Sequence, residues 1–419
     1  MGGNAFTQPG PNDQPALVTP RLTPQQYDLL KTYVSDKLAA LFECLAVPKE
    51  MPGKESFGDL DYLAVAPTVN CPEDWVAEVQ SRLSAPQVRG QDPTASFAVP
   101  WDIAGIKDVI EQPRATNGEP QATNDVNHED VSTPTHHAQI DLSLIPPSTY
   151  PWQLFLHSHG DLSRILAHLL RPLALHLNHH GLHLRLAEIA ASVPDKKKSL
   201  LFLSTAPDAL FRFLEIDYAA VGGAGSCTEM FDQVVASPFF GAGVVEWAAT
   251  PREDGTRSDR QRHAKRPMYR QFMEEYIPAN LSKFSSKAGY SREEVRERAV
   301  RWFGKEAELA TMLGEWAVEE AEKAWWADVV GVFPGEMSVE KRRRVVRGLK
   351  RWVEVGGGEA VVRREARALE GRWVDGMGVG REGWGGRREG VLEWVKGNWE
   401  MVNALEKGRV KGGGKKWVE

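Results

Sequence analysis

The chain has 419 residues, of which 42% are hydrophobic and 26% are charged, a composition typical of globular proteins. Its length predicts two or three domains and is ample for a sizeable core. The three cysteines, Cys44, Cys71 and Cys227, are far apart and form no CxxC pair, so neither a disulfide framework nor a cysteine-based zinc site is expected. No apolar run is long enough to predict a membrane span, and the N-terminus lacks the features of a signal peptide. These observations favour an intracellular protein, cytoplasmic or nuclear, because free cysteines suit a reducing compartment.

The net charge of −6 is distributed unevenly along the chain. Residues 331–419 contain 20 Lys and Arg against 13 Asp and Glu, a balance of +7, so the other 330 residues carry −13. An acidic body with a basic tail predicts a polyanionic partner, such as RNA, for the tail. The alternative is a solvated helical surface of mixed sign, since acidic residues are interspersed almost throughout this stretch.

The sequence of residues 1–67 predicts an irregular arm, a helix and two strands. Residues 1–21 are rich in Gly, Pro, Asn and Gln, which indicates an irregular N-terminal arm. Thr23 is a good N-cap for a helix that begins at Pro24. Residues 43–67 then read as strand, turn and strand, with the second strand beginning at Asp59.

The next segment changes character. Residues 72–83 predict a short helix, and residues 86–137 contain six prolines and an acidic excess, which predicts a mostly irregular acidic insertion. Residues 138–144 then alternate between apolar and polar side chains, the pattern of a half-buried strand whose polar face carries Gln139, Asp141 and Ser143.

From residue 150 onward the pattern becomes largely helical. We expect an α/β (α+β) core over residues 22–240, a linker over 241–262, a mostly α-helical region over 263–410 and a flexible tail over 411–419. The predicted helices of that region are approximately 263–286, 291–329, 338–354, 359–373 and 387–407.

Seven histidines crowd residues 157–183. His176, His180 and His183 fall at helical spacing, so a zinc site made of histidines is an alternative to a structural role. The start of the helix at Ser158–Asp161 offers free N–H groups to a phosphate, although simple capping explains the same residues.

The strongest chemical signal is a pair of carboxylates on the second predicted strand. Asp59 and Asp61 point to the same face of that strand, with their Cα atoms about 7 Å apart. Two carboxylates this close repel each other unless a cation lies between them, and hard oxygen ligands suit Mg²⁺ or Mn²⁺. Asp141 adds a third carboxylate if its strand is a neighbour. The alternative is a set of solvated carboxylates at a sheet edge.

The segment Gly58-Asp59-Leu60-Asp61-Tyr62-Leu63, followed by Ile140-Asp141-Leu142, resembles the nucleotidyltransferase superfamily that includes DNA polymerase β and poly(A) polymerase. The resemblance covers roughly residues 22–146. It implies a core with a mixed sheet and the metal-dependent transfer of a nucleoside monophosphate from an NTP, such as ATP, to a hydroxyl, with release of pyrophosphate. It also implies that Asp59 and Asp61 bind both metal ions and that Asp141 helps to activate the acceptor.

The sequence departs from that family at the turn that holds the triphosphate. The family has a Gly-Ser pair about ten residues before the first aspartate, a spacing that here falls on residues 47–50, without Gly or Ser. Gly53, Lys54, Ser56 and Gly58 could form a substitute cradle from backbone N–H groups, a lysine and a hydroxyl. The departure keeps a second interpretation open, in which the fold has lost turnover and serves as an RNA- or protein-binding module.

Basic runs offer contacts to RNA or to a triphosphate. The densest is residues 259–270, at the opening of a predicted helix, and an RNA 3′ end is one candidate acceptor. Residues 341–344 read either as a nuclear signal or as the exposed face of a helix. The 14 tryptophans are more typical of a core than of base-stacking platforms.

Overall fold

A computed structural model describes residues 3–11, 13–106, 135–250, 266–284, 287–356, 359–363 and 385–412. The chain divides into two units, Met1–Lys305 and Glu306–Glu419, and each contains a hydrophobic core. Within the described residues, none of the helices combines the length and the apolar character needed to span a bilayer.

The first unit is built around a five-stranded mixed sheet. Its strands are β1 (Phe42–Ala46), β2 (Asp59–Pro67), β3 (Gln87–Gln91), β4 (Thr94–Pro100) and β5 (His137–Ile145). They lie in the order β1–β2–β5–β4–β3, with β2 and β5 parallel and the other neighbours antiparallel. The strands predicted at β2 and β5 are confirmed, and with the surrounding helices this sheet gives the α/β class expected from the sequence.

Helix α1 (Pro24–Leu38) packs against this sheet. Its first turn is closed by a capping box, in which the Thr23 hydroxyl accepts from the Gln26 N–H and the Gln26 side chain accepts from the Thr23 N–H. The buried stripe of the helix recurs at helical spacing and joins the core under the sheet: Tyr27, Leu30, Val34, Leu38. The Tyr62 hydroxyl of β2 also donates to the Lys31 carbonyl, which ties the helix to the strand.

The predicted insertion over residues 86–137 is corrected at its beginning, where two strands form a hairpin. Helix α2 (Trp75–Arg82) is followed by the hairpin β3–β4, whose register pairs Gln91 with Thr94, and β5 begins at His137. The apolar side chains of β4 explain the difference, because Phe97 and Val99 are fully buried and stabilise the strand despite its polar neighbours. The interior of that segment, residues 107–134, lies outside the described residues.

Short helices and a small sheet complete the middle of the first unit. The helices are α3 (Tyr150–His157), α4 (Leu162–Leu170), α5 (Ala187–Ser192), α6 (Pro207–Phe213), α7 (Tyr218–Gly223), α8 (Cys227–Val235) and α9 (Ala242–Ala249). The small sheet has the order β6–β7–β8, with β6 (Leu175–Asn178), β7 (Gly181–Arg185) and β8 (Leu200–Ser204). Helix α4 ends at Leu170, before Pro172, so residues 175–178 are a strand and do not continue the helix.

Residues 266–305 belong to the first unit, whereas the sequence predicted a separate helical region that begins at residue 263. Helix α10 (Pro267–Arg270) continues through a π-helical segment, Gln271–Tyr276, into α11 (Ile277–Phe284), and α12 (Arg292–Trp302) follows. This segment is bound to earlier helices by side-chain contacts. Arg266 lies 3.0 Å from Asp161, and the Lys287 ammonium donates to three carbonyls at the end of α8. The linker expected over residues 241–262 includes α9 (Ala242–Ala249), which belongs to the first unit, and residues 251–262 lie outside the described part of the chain.

The second unit is mostly helical, as the sequence indicates. It contains α13 (Glu306–Gly331), α14 (Val339–Trp352), the hairpin β9 (Val353–Gly356) and β10 (Glu359–Val362), and α15 (Gly385–Gly412). Two helix boundaries differ from prediction. The helix expected over 291–329 is divided at Gly304, which adopts the left-handed conformation typical of a helix C-terminus. The helix expected over 359–373 begins instead as β10, paired with β9. The tail from residue 413 onward lies outside the described residues.

Candidate metal centre

Asp59 and Asp61 lie at the beginning of β2, on the face opposite the core. Between them Leu60 is fully buried, as is Tyr62 on its other side, and both pack in the core under the sheet. The two-residue period of a strand therefore turns both carboxylates to the other face. The apolar positions of the sequence thus fix the direction of both aspartates.

The parallel pairing of β2 with β5 brings the third carboxylate to this pair. Asp141 is the direct partner of Asp61 in the register, although 80 positions separate them in the chain. Each of the three aspartates offers a carboxylate oxygen, and these oxygens lie within 4.8 Å of one another. The expected convergence of three acids is therefore present.

The electrostatics of this cluster favour a cation. Among the described residues, no Lys or Arg forms an ion pair with any of the three carboxylates. Asp61 keeps solvent access on one side, but the surrounding protein desolvates it, and with repulsion from Asp59, Asp141 and Glu50 this raises its pKa to about 7. Burial also raises the pKa of Asp141, while hydrogen bonds from Ser96 and Gln139 oppose that shift and the charge of Asp59 adds to it. A group of hard oxygen donors with uncompensated negative charge fits a divalent ion such as Mg²⁺ or Mn²⁺.

A glutamine that the sequence analysis did not assign is bound to the cluster. Gln139 lies two residues before Asp141 on β5 and is only 4% exposed. Its Nε2 is 2.9 Å from both carboxylate oxygens of Asp141, and its Oε1 accepts from the Ala5 N–H at 2.8 Å. The sequence did indicate that Gln139 lies near Asp141, because the alternation of apolar and polar residues on β5 places both side chains on the same polar face.

The N-terminal arm packs beside this cluster. Phe6 is fully buried, and the Thr19 hydroxyl donates to the Gly3 carbonyl. Gly3 lies so close to Gly58 that a Cβ atom on Gly3 would be 2.2 Å from the Gly58 carbonyl oxygen. The arm therefore lies directly against the residue that precedes Asp59.

The four residues proposed as a phosphate cradle lie in the loop between β1 and β2. Lys54 binds the Glu50 carboxylate at 2.7 Å, and the Ser56 hydroxyl accepts from the Arg21 Nε at 2.6 Å. Gly53 faces open space, whereas Gly58 is covered by Gly3. The lysine and the hydroxyl are thus engaged with protein partners, so a phosphate would have to compete with those contacts.

A pocket of ≈ 300 Å³ opens between α1 and this loop. Its lining includes the apolar Val47, Pro48 and Phe57, and its charged lining residues are Lys31, Lys49, Asp28 and Glu50. Tyr27 lines it as well, stacked on Phe57 with ring centroids 4.0 Å apart. Burial raises the pKa of Tyr27, and the charges of Glu50 and Asp61 raise it further. Phe57 lies two residues before Asp59 in the chain, so the pocket adjoins the carboxylate cluster.

The histidine-rich segment does not have the predicted arrangement. His176 and His183 are cross-strand partners in the β6–β7 hairpin, so their apparent helical spacing is a coincidence of a short hairpin. Among the described residues, the three aspartates are the group of His, Cys, Asp and Glu side chains whose ligand atoms converge as a metal site requires. A histidine zinc site is therefore not formed.

The candidate anion sites have protein partners where they are described. Asp161 lies at the start of α4 but accepts from Arg266 and from the Tyr269 N–H, without capping the helix. On α14, Arg342 donates to two loop carbonyls and Arg344 pairs with Glu340. Trp325 is fully buried in the second core. Contact between the basic residues and RNA stays a prediction.

No protein-family model matches this chain, and no curated protein matches it significantly. The site is therefore interpreted from its own geometry.

Proposed function

We propose that this chain is a metal-dependent nucleotidyltransferase, which moves a nucleoside monophosphate from an NTP to a hydroxyl acceptor. The observation that carries the proposal is the convergence of Asp59, Asp61 and Asp141 on two parallel neighbouring strands. Its support is the resemblance of the segments around these residues to the nucleotidyltransferase superfamily, together with a mixed sheet of the kind that the resemblance implies.

Asp59 and Asp61 would hold Mg²⁺ or Mn²⁺ through their carboxylate oxygens. Such an ion, when bound, stabilises negative charge on the phosphates and makes the acceptor hydroxyl more acidic. The three aspartates, without paired cations among the described residues, supply the negative charge that holds it.

The reaction exchanges one bond to phosphorus for another. The acceptor oxygen forms a bond to the α-phosphorus, the bond from that phosphorus to the bridging oxygen breaks, and pyrophosphate leaves. Asp141, whose carboxylate lies with those of Asp59 and Asp61, would help to activate the acceptor hydroxyl, whose proton passes to solvent.

The pocket beside the cluster is the place that we assign to the nucleotide. Its apolar lining suits a base or ribose, and Lys31 and Lys49 suit phosphate oxygens, with Asp28 and Glu50 lining the same pocket. The short stretch of chain from Phe57, which lines the pocket, to Asp59 supports this assignment, because the transferred phosphate must lie between the pocket and the carboxylates.

A second candidate function is a binding module that has the same fold but no turnover. One observation favours it: the groups that would replace the family's Gly-Ser turn are already engaged, Lys54 with Glu50 and Ser56 with Arg21. In this alternative the chain holds RNA or a protein partner.

A transfer assay tests the proposal. The protein is incubated with each labelled NTP, Mg²⁺ or Mn²⁺, and a pool of total RNA, and label is followed into RNA, small molecules and the protein itself. We expect the double variant Asp59→Asn/Asp61→Asn to lose transfer by about 100-fold or more, because metal coordination stabilises the transition state by several kcal/mol.

The matched control is Glu43→Gln, which removes one negative charge from an exposed position of β1 in the same sheet. It should transfer label like the unchanged protein. Absence of transfer with every NTP, from protein shown to be folded, would contradict the enzyme and leave the binding module. Equal transfer by the double variant would contradict the assignment of the aspartates.

A further inference from the structure

Gln139 is a polar side chain buried in the sheet, and both ends of its amide are used. The Ala5 N–H can only donate, so the oxygen of the amide must face the arm at 2.8 Å. The nitrogen must then face Asp141, at 2.9 Å from each of its carboxylate oxygens. The arm therefore fixes which end of the amide meets the carboxylate.

The donor of this contact lies equally close to the two oxygens of Asp141, and so it opposes rotation of the carboxylate about its terminal torsion, which is otherwise broad. A carboxylate that already has its orientation binds an ion without a further loss of rotamer freedom. Such outer contacts to metal-binding groups typically change affinity by about 10- to 100-fold.

The arm is itself held in place close to the first aspartate. Gly3 packs against Gly58, the Thr19 hydroxyl binds the Gly3 carbonyl, and the fully buried Phe6 anchors the segment on the other side of Ala5. The position of the Ala5 N–H is therefore determined by contacts on both sides.

We propose that Gln139, oriented by the Ala5 N–H of the N-terminal arm, is a positioning residue that sets the Asp141 carboxylate for binding a divalent cation. The inference rests on the metal centre of the proposed function but not on nucleotide transfer. It gives a role to residues 3–6 of the arm, which lie against the site.

The test is Mn²⁺ binding to the full-length protein, measured by isothermal titration and by the EPR signal of free Mn²⁺. Gln139→Met keeps the length of the side chain but removes both hydrogen bonds. The matched control is Gln87→Met, because Gln87 is 5% exposed, lies on β3 of the same sheet and also holds the arm, by donating to the Pro15 carbonyl at 2.8 Å. We expect Gln139→Met to bind Mn²⁺ about 10- to 100-fold more weakly and Gln87→Met to bind like the unchanged protein.

A second pair of variants leaves the glutamine in place. Ala5→Pro removes the N–H donor, and Ala5→Ser keeps it, so only the proline variant should weaken Mn²⁺ binding. This pair decides the question if Gln139→Met does not fold.

The outcomes separate the two proposals. If the unchanged protein binds no Mn²⁺, the metal centre itself is wrong. If it binds Mn²⁺ but Gln139→Met and Ala5→Pro bind equally well, the metal centre stands and the positioning role is overturned. Weakened binding in both variants, with the two controls unaffected, supports the positioning role.

Discussion

At the scale of single residues, the carboxylate cluster is a source of instability that a cation relieves. Asp61 is exposed, but it has a pKa of about 7 because desolvation by the surrounding protein and the neighbouring carboxylates disfavour its charged form. Sites whose function requires several acids on one face often carry this cost. The raised pKa of Asp61 allows the cluster to be tested by stability measurements at different pH values, without knowledge of the substrate.

The stability of the metal-free protein should depend on pH through Asp61. Its pKa in the folded protein, about 7, lies above the ordinary value of 3.8, so the fold favours the protonated form. The stabilisation is complete below pH 3.8 and is lost as the pH rises through 7. Asp61→Asn stays neutral, so it should gain thermal stability relative to the unchanged protein between pH 5 and pH 8. Thermal unfolding in EDTA at both pH values measures this gain.

Glu43→Gln serves as the control for this experiment, because the exposed Glu43 is outside the cluster. Its midpoint of thermal unfolding should change between the two pH values by the same amount as that of the unchanged protein. Adding Mn²⁺ at pH 8 should stabilise the unchanged protein and not Asp61→Asn, since an ion that binds only the folded state raises stability by mass action. Parallel pH profiles for all three proteins would contradict the repulsion described here.

At the scale of elements, the local sequence pattern was sufficient to predict a helix or strand where one face of the segment is uniformly apolar. Helix α1 has a capping signal and a helical stripe, and β5 alternates cleanly, so both were predictable from the sequence. The strand β6 was not, because its residues follow a leucine-rich helix and its histidine, His176, lies seven positions before its partner, His183. The strand β3 and the hairpin β9–β10 depend on pairing between strands, which a local pattern does not contain.

The same distinction applies to the candidate site. The direction of Asp59 and Asp61 follows from the two-residue period of a strand, and so the pair could be predicted. The pairing of Asp141 with Asp61 depends on two parallel strands that are distant in the sequence. The sequence alone predicted a third carboxylate at this site only if these two strands are neighbours. The contact between Ala5 and Gln139 joins segments 134 positions apart, and nothing local indicates it.

The close packing of α14 on α15 makes a prediction for the second unit. Gly348 of α14 faces α15, and a Cβ atom there would lie 2.7 Å from the Val402 Cγ1 and 3.0 Å from the Val402 carbonyl oxygen. Gly348→Ala should therefore lower the free energy of unfolding, since overpacking costs about 1–3 kcal/mol, more than the helix gains from alanine. Urea denaturation measures the loss.

Gly397 provides the opposite case on the partner helix. It is exposed, and a Cβ atom there would meet nothing within 4 Å. Gly397→Ala should raise the free energy of unfolding by up to about 1 kcal/mol, because alanine is the better helix former. Two changes of the same kind, on packed helices, are thus expected to have opposite signs. Equal effects would show that the two helices do not approach closely at Gly348.

At the scale of the whole molecule, the boundary between the two units changes how the uneven distribution of charge along the chain is interpreted. The second unit begins at Glu306, so it also includes the acidic helix α13. Residues 306–419 contain 21 Lys and Arg and 20 Asp and Glu, a balance of +1 in place of the +7 counted from residue 331. Several of its basic side chains are also paired; the buried Glu406, for example, accepts two hydrogen bonds from Arg409. RNA binding by this unit therefore needs a direct test and cannot be inferred from net charge.

Every group assigned to the metal centre lies in the first unit, from Ala5 of the arm to Asp141 of β5. A fragment of residues 1–305 contains the sheet and its core, so it should bind Mn²⁺ with an affinity within about twofold of the full chain, as expected for independent units. Isothermal titration on both proteins measures this, with Asp59→Asn in the fragment as the variant that should lose binding. A fragment that gives the circular dichroism of a folded protein but does not bind Mn²⁺ would show that the second unit contributes to the centre. Equal binding by both proteins would place the complete metal centre within the arm and the mixed sheet.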